Sequence, residues 1–235
     1  MSISPDKLYE CLHNYFGQQH WWPVDERYHK KNHSDPRFEV MIGAILTQNT
    51  AWSNVEKALL LLKKHNALTI QHIADIDENT LKTLIQPSGF FNQKAKRLKN
   101  LALYLQKNYE CDINVFFRRN LQEIRQELLS LHGIGPETAD SILLYAGNLP
   151  IFVVDAYTKR LVERLPLNVE EKTYEGTQKY FQENLRKTYT TTDIVPLYKQ
   201  LHALIVELAK NYCKKIPRCQ KCPLNNYCAS SKLFQ

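Results

Sequence analysis

Glycine is scarce in this chain of 235 residues, at seven, and methionine scarcer still, at two. No low-complexity or Gly/Ser-rich tract divides it, which excludes a long flexible linker. Long apolar runs are also missing. The longest, such as Pro150 to Val154, are core-sized, far short of the roughly 20 residues that a membrane-spanning helix needs. Residues 1–7 hold no basic stretch followed by an apolar one, so no signal peptide is expected and the protein reads as soluble and cytoplasmic. Strand-like alternation of apolar and polar residues is nearly absent, which argues against a sheet.

What is present points to helices. Apolar residues make up 43% of the chain, enough for one large core or two small ones. They recur at helical spacing, as in Phe38, Met41, Ile42, Ile45 and Leu46, and again in Val55, Ala58, Leu59 and Leu62. The same pattern predicts helices near 79–86, 93–108, 120–130, 137–147, 155–164, 171–185 and 194–212, and an all-α fold. Residues 36–150 read as a continuous helical block. Residues 1–35 and 151–235 are each short for an independent core, so a second, smaller domain built from both chain ends is expected. A net charge of +7 and a pI near 9.0 favour a polyanionic partner.

Within the block, two amphipathic segments flank His132-Gly133-Ile134-Gly135-Pro136. Glycines permit positive φ and close backbone approach, and Pro136 fits the first turn of the next helix. The amides at that helix start form a ready anion site, and on DNA the anion is a backbone phosphate. A plain helix-turn-helix connection would also use such glycines. The full string, however, resembles the helix-hairpin-helix motif of the DNA repair glycosylases of the endonuclease III superfamily. Leu131, Gly133, Ile134, Gly135, Thr138 and Ala139 fit its L-x-G-[IV]-G-x-x-T-A core. The resemblance implies a two-domain glycosylase fold, a six-helix block plus an iron-sulfur cluster domain, and a monomer acting on double-stranded DNA with damaged bases, at the nucleoid. Gly133, Ile134, Gly135, Glu137 and Thr138 become candidate DNA-contacting residues.

Asp155 follows an apolar run and, alone, is most simply a helix N-cap. The superfamily places its catalytic aspartate in a similar V-D element at this distance from the hairpin, eighteen residues beyond Glu137. A fixed carboxylate in a water-poor site can stabilise the positive charge that develops on the sugar, or orient the attacking water. Relatives that also cut the strand carry a lysine where this sequence has Glu137, and a carboxylate cannot form their Schiff base. The resemblance therefore implies hydrolysis without strand cleavage. Lys159 is a nearby amine that could substitute.

Six cysteines divide by spacing. Cys11 and Cys111 stand alone and read as small buried residues. Cys213, Cys219, Cys222 and Cys228 are spaced C-x5-C-x2-C-x5-C, which argues for metal over disulfides. Zinc is the simple alternative, but its ribbons usually pair two C-x2-C knuckles. The single knuckle resembles the four-iron, four-sulfur cluster loop of endonuclease III relatives, with five residues in the first gap where they commonly have six. Lys210, Lys214, Lys215, Arg218, Lys221 and Lys232 surround it with no acidic residue from Lys210 onward, a composition suited to phosphates.

Leu46-Thr47-Gln48-Asn49-Thr50 resembles an early-helix element of the superfamily whose glutamine fills the space left by a flipped nucleotide, so Gln48 is the candidate plug. With Gln19-His20-Trp21-Trp22-Pro23, Phe38-Glu39 and Pro87-Ser88-Gly89-Phe90-Phe91-Asn92-Gln93-Lys94-Ala95-Lys96-Arg97-Leu98, the sequence is most similar to the bacterial 3-methyladenine branch. That likeness implies a base pocket of Trp52, Trp21, Trp22 and Pro23, and alkylated purines as substrates. Indole faces attract a cationic base by about 0.5–2 kcal/mol. A glycosylase for oxidised or mismatched pyrimidines and a non-catalytic iron-sulfur DNA-binding protein are the rival readings.

Overall fold

The computed structural model describes residues 3–228, and every regular element among them is helical. In chain order the α-helices are α1 (Pro5–Phe16), α2 (Glu26–Asn32), α3 (Pro36–Leu46), α4 (Trp52–Lys64), α5 (Ile70–Asp75), α6 (Glu78–Ile85), α7 (Phe91–Tyr109), α8 (Ile113–Phe117), α9 (Leu121–Ser130), α10 (Pro136–Ser141), α11 (Ala156–Arg164), α12 (Tyr174–Thr188) and α13 (Ile194–Asn211). Short 3-10 turns span Gln86–Ser88 and Cys219–Lys221, and a π-helical turn, Ile142–Ala146, continues α10. No helix among the described residues is long and apolar enough to cross a membrane.

Side-chain caps explain where many helices begin. Asp25, Asp35, Thr69, Asp77, Asp112, Asn120, Asp155 and Thr173 each accept a backbone N–H from the first turn of α2, α3, α5, α6, α8, α9, α11 and α12. Each cap satisfies a donor that the helix itself cannot.

The chain divides into two compact units, one of residues 22–148 and one of residues up to 21 with those from 149. The middle unit takes in residues 22–35 as well as 36–148. Its α2 is tied there because the buried His29 ring meets Glu39 of α3, Nε2 to Oε2 2.6 Å, while Lys63 of α4 reaches the other oxygen at 2.7 Å. Within this unit α7 packs against α3, α5 and α6, and α3 packs against the π turn. In the terminal unit the largely buried α13 packs on α1 and α11.

Candidate active site

The hairpin joins α9 to α10. Gly133 has φ +85, and a Cβ there would sit 2.2 Å from Nε of Arg97, so both the turn and the arginine demand glycine. Ile134 is buried and pins the turn into the core, and its amide donates to Leu131 O at 3.0 Å. Arg125 of α9 grips the fully buried Asp140 of α10 through Nε at 2.7 Å and Nη2 at 3.2 Å. That fork fixes the angle of the two helices. Gly135 and Glu137 are exposed at the turn, and Thr138 is buried.

Gln48 lies against this hairpin. Its Nε2 donates to Gly133 O at 3.0 Å and to Thr138 Oγ1 at 2.9 Å, and its Oε1 accepts from Arg97. The amide thus couples the end of α3 to the hairpin and to α7. Nearby, Phe90 is 64% exposed and holds a left-handed φ of +46. A bulky side chain in that conformation is uncommon and is held by its surroundings.

Asp155 caps α11 in the terminal unit and is 8% exposed. One carboxylate oxygen accepts from the Thr158 amide at 2.7 Å and its hydroxyl at 2.8 Å. The other is 3.6 Å from Nε2 of His202, which α13 supplies. Burial pushes the carboxyl up, but His202 and the Thr158 bonds outweigh it and hold Asp155 below the ordinary carboxylate value. The Trp21 ring meets His202 edge-on at 5.9 Å, and the Lys210 ammonium stands 5.5 Å from its ring centroid. Asp155, His202 and Trp21 therefore form one group.

The other aromatic candidates belong to the middle unit. Trp22 packs edge-on to Trp52 at 5.5 Å and to Tyr145 at 5.3 Å. Pro23 and Trp52 line a cavity of about 650 Å³ whose wall also includes Glu39, Glu56 and Lys63.

All six cysteines are free thiols. Cys213, Cys219, Cys222 and Cys228 line one small cavity with Arg164, Tyr212, Pro217 and Asn225. Among the described residues no three His, Cys, Asp or Glu side chains form a group that could hold a metal ion. Arg164 Nη1 donates to Cys213 Sγ at 3.3 Å and to Lys214 O at 2.7 Å, and Arg160 Nε donates to Cys213 O at 2.8 Å. Burial pushes the Cys222 thiol up to about 11, and its three sister cysteines add to the rise. Lys232 lies outside the described residues.

Residues 42–187 match the model of the HhH-GPD superfamily of base excision DNA repair proteins. The chain belongs to that superfamily. A protein of Methanocaldococcus jannaschii that carries the provisional name of DNA repair glycosylase is 44% identical over 225 residues, 95% of each chain. The solved H. pylori 3-methyladenine DNA glycosylase bound to 1,N6-ethenoadenine is similar at a TM-score of 0.71 and 28% identity, over 88% of this chain and 98% of that one. A trapped endonuclease III–DNA covalent intermediate is similar at a TM-score of 0.74 over 98% of each chain; at 21% identity that likeness is one of fold.

In this HhH-GPD protein the structure adds residues that sequence patterns did not single out. His202 reaches Asp155 from 47 positions away, Arg164 reaches Cys213 from 49, and Arg97 reaches Gln48 from 49. None has a local signal, because such contacts are made by helix packing. Phe90 could have been found from its place beside Gly89 in the P-S-G-F-F string.

Proposed function

We propose that this DNA glycosylase hydrolyses the N-glycosidic bond of alkylated purines, 3-methyladenine and 7-methylguanine, after flipping them from duplex DNA, and leaves the strand uncut. The reading is carried by one observation. A buried carboxylate, Asp155, is kept ionised at the start of α11, while position 137 of the hairpin holds an exposed carboxylate and no amine.

The chemistry follows from that arrangement. An anion fixed in a shielded site opposes the positive charge growing on the sugar as the base departs. The same oxygen can orient a water for attack. A Schiff base needs an amine, and Lys159 holds its ammonium over the Tyr174 ring at 5.7 Å. A base methylated at N3 or N7 is cationic and leaves readily, so it needs stacking more than a general acid. Trp21, edge-on to His202 beside Asp155, offers an indole surface to such a base. Trp22, Trp52 and Pro23 supply further flat surface, Gln48 the hydrogen-bonding tip at the hairpin, and Gly133 to Thr138 the phosphate contact. The 3-methyladenine glycosylase likeness supports the same substrate class. The exposed Phe90 adds a wedge that can stack between base steps.

Cys213, Cys219, Cys222 and Cys228 fit a four-iron, four-sulfur centre. Four soft donors around a shared cavity, spaced C-x5-C-x2-C-x5-C, suit such a centre, whose positive charge would let the four thiolates coexist. When bound, the cluster supplies a rigid core for the loop. The loop's own Lys214, Lys215, Arg218 and Lys221 then face phosphates.

The test is base release from duplexes bearing 3-methyladenine, 7-methylguanine, thymine glycol or uracil, with borohydride trapping in parallel. Release of the methylated purines with no trapped adduct is expected. Preferred release of thymine glycol, or an adduct, would overturn the reading in favour of an endonuclease III-like enzyme.

A further inference from the structure

Lys94 of α7 is wholly buried, at 0% exposure. Its Nζ donates to Leu46 O at 2.8 Å, to Thr50 Oγ1 at 2.7 Å and to Ser88 O at 2.7 Å. Leu46 ends α3, Thr50 precedes α4, and Ser88 ends the 3-10 turn. One ammonium thus gathers two loops, the one that carries Gln48 and the one that carries Phe90. Thr50 strengthens the join by donating its hydroxyl to Ser88 O at 2.5 Å. Three N–H donors meet three oxygens, so the group is saturated, as a charge removed from water must be.

We infer that the Lys94 ammonium is a positioning residue for base extrusion, locking the Leu46–Thr50 and Ser88–Phe90 loops in register so that Gln48 and Phe90 enter the duplex together. The inference rests on the base-flipping reading given above. Gln48 sits two residues from each of the Lys94-bound positions on its own loop, and Phe90 two residues beyond Ser88. Slack at Lys94 therefore reaches both tips.

Protonation matters to this anchor. Burial, with the positive charge of Arg97 one turn along α7, pulls the lysine down to about 8. The groups facing it from α3, the loop before α4 and the 3-10 turn are a carbonyl, a hydroxyl and a carbonyl, none of which titrates in the working range. A neutral amine keeps two N–H bonds for three oxygens, so one of the three contacts is lost and the join slackens as pH rises through 8. The sign is opposite for this group's own part in stability. A lysine depressed below its unfolded value adds stability as pH climbs from about 8 toward 10.5. Loss of stability at Lys94 therefore does not mimic loss of the anchor in that window.

The experiment compares binding to a duplex containing a tetrahydrofuran abasic analogue with binding to the intact duplex, for wild type, Lys94→Met and Thr50→Val, from pH 7 to 9.5. The wild-type preference for the abasic duplex is expected to fall as pH rises. Lys94→Met should lose about tenfold of that preference at pH 7, as expected for charged hydrogen bonds, and show a flat profile while binding intact duplex as before. Thr50→Val, with one acceptor fewer, should lose part of it and serves if Lys94→Met does not fold. A pH-independent wild-type preference, or variants that retain it, would overturn the anchor role. No preference in the wild type at any pH would bring down the base-flipping reading itself, and the anchor with it.

Discussion

His202 Nε2 stands 3.6 Å from the Asp155 carboxylate, joining the start of α11 to the middle of α13. Burial raises this carboxyl, and the imidazole is the first of the partners that pull it back down. Because the carboxyl is held below its ordinary value, base release should persist into acid and fall only below about pH 4. Replacing His202 with alanine should move that acid limb upward, and Asp155→Asn should lose at least about a hundredfold in rate, in the range for one electrostatic group. A pH–rate profile of single-turnover base release reads both. An Asp155→Asn enzyme of unchanged rate would remove the mechanistic assignment.

The hairpin makes a steric prediction. Gly133→Ala combines a left-handed backbone with a Cβ in the space of the Arg97 side chain, and Arg97 cannot retreat without dropping Gln48. A cost of about 1–3 kcal/mol is expected at the turn. DNA affinity at fixed salt should fall about tenfold or more, whereas Gly135→Ala, where nothing lies within 4 Å of the new methyl, should fall far less. Fluorescence anisotropy on one duplex compares the two.

The cysteine loop makes a spectroscopic one. The protein as isolated should be yellow-brown, with iron and sulfide in near-equal amount. Cys222→Ser should bleach it and lower its thermal midpoint, since one of the four donors is lost. Arg164→Gln removes the donor to Cys213 Sγ and to the Lys214 carbonyl together, so the cluster should become easier to lose to a chelator. A colourless protein with one zinc per chain would refute the cluster.

The local signals explain why much of this was readable. α7 and α13 are 19 and 18 residues long, so each repeats its apolar face several times. The hairpin is written in Gly and Pro, whose backbone demands are local. By contrast α5 and α8, at six and five residues, are too short to show a period and were not anticipated. Buried polar partners were hidden for another reason. Lys94 looked like one more basic residue in an N-Q-K-A-K-R string, and only packing brings two oxygens from the Leu46–Thr50 loop, more than 40 positions away, onto it beside Ser88 O. The glycine of α3 is the same kind of case: a Cβ at Gly43 would come within 3.0 Å of Trp22 Nε1, so the residue answers to a tryptophan 21 positions earlier.

Glu39 gives the sharpest test of stability. It is 1% exposed, with one oxygen on His29 and the other on Lys63. Burial raises its carboxyl, and the two partners together bring it below the ordinary value of 4.5. A carboxyl depressed in the folded state stabilises the fold above that value, and the gain is lost as pH falls through the folded value. Glu39→Gln leaves Lys63 to the more distant Asp25 at 3.7 Å and weakens the bond to His29, so it should cost roughly 3 kcal/mol at pH 7, as for one partner removed from a buried pair. As pH falls through the folded value the wild type forfeits the same charge, and the two unfolding curves should converge. Urea midpoints at pH 7 and at successively more acid pH measure the gap. A gap equally wide throughout would mean that the carboxylate contributes through packing alone.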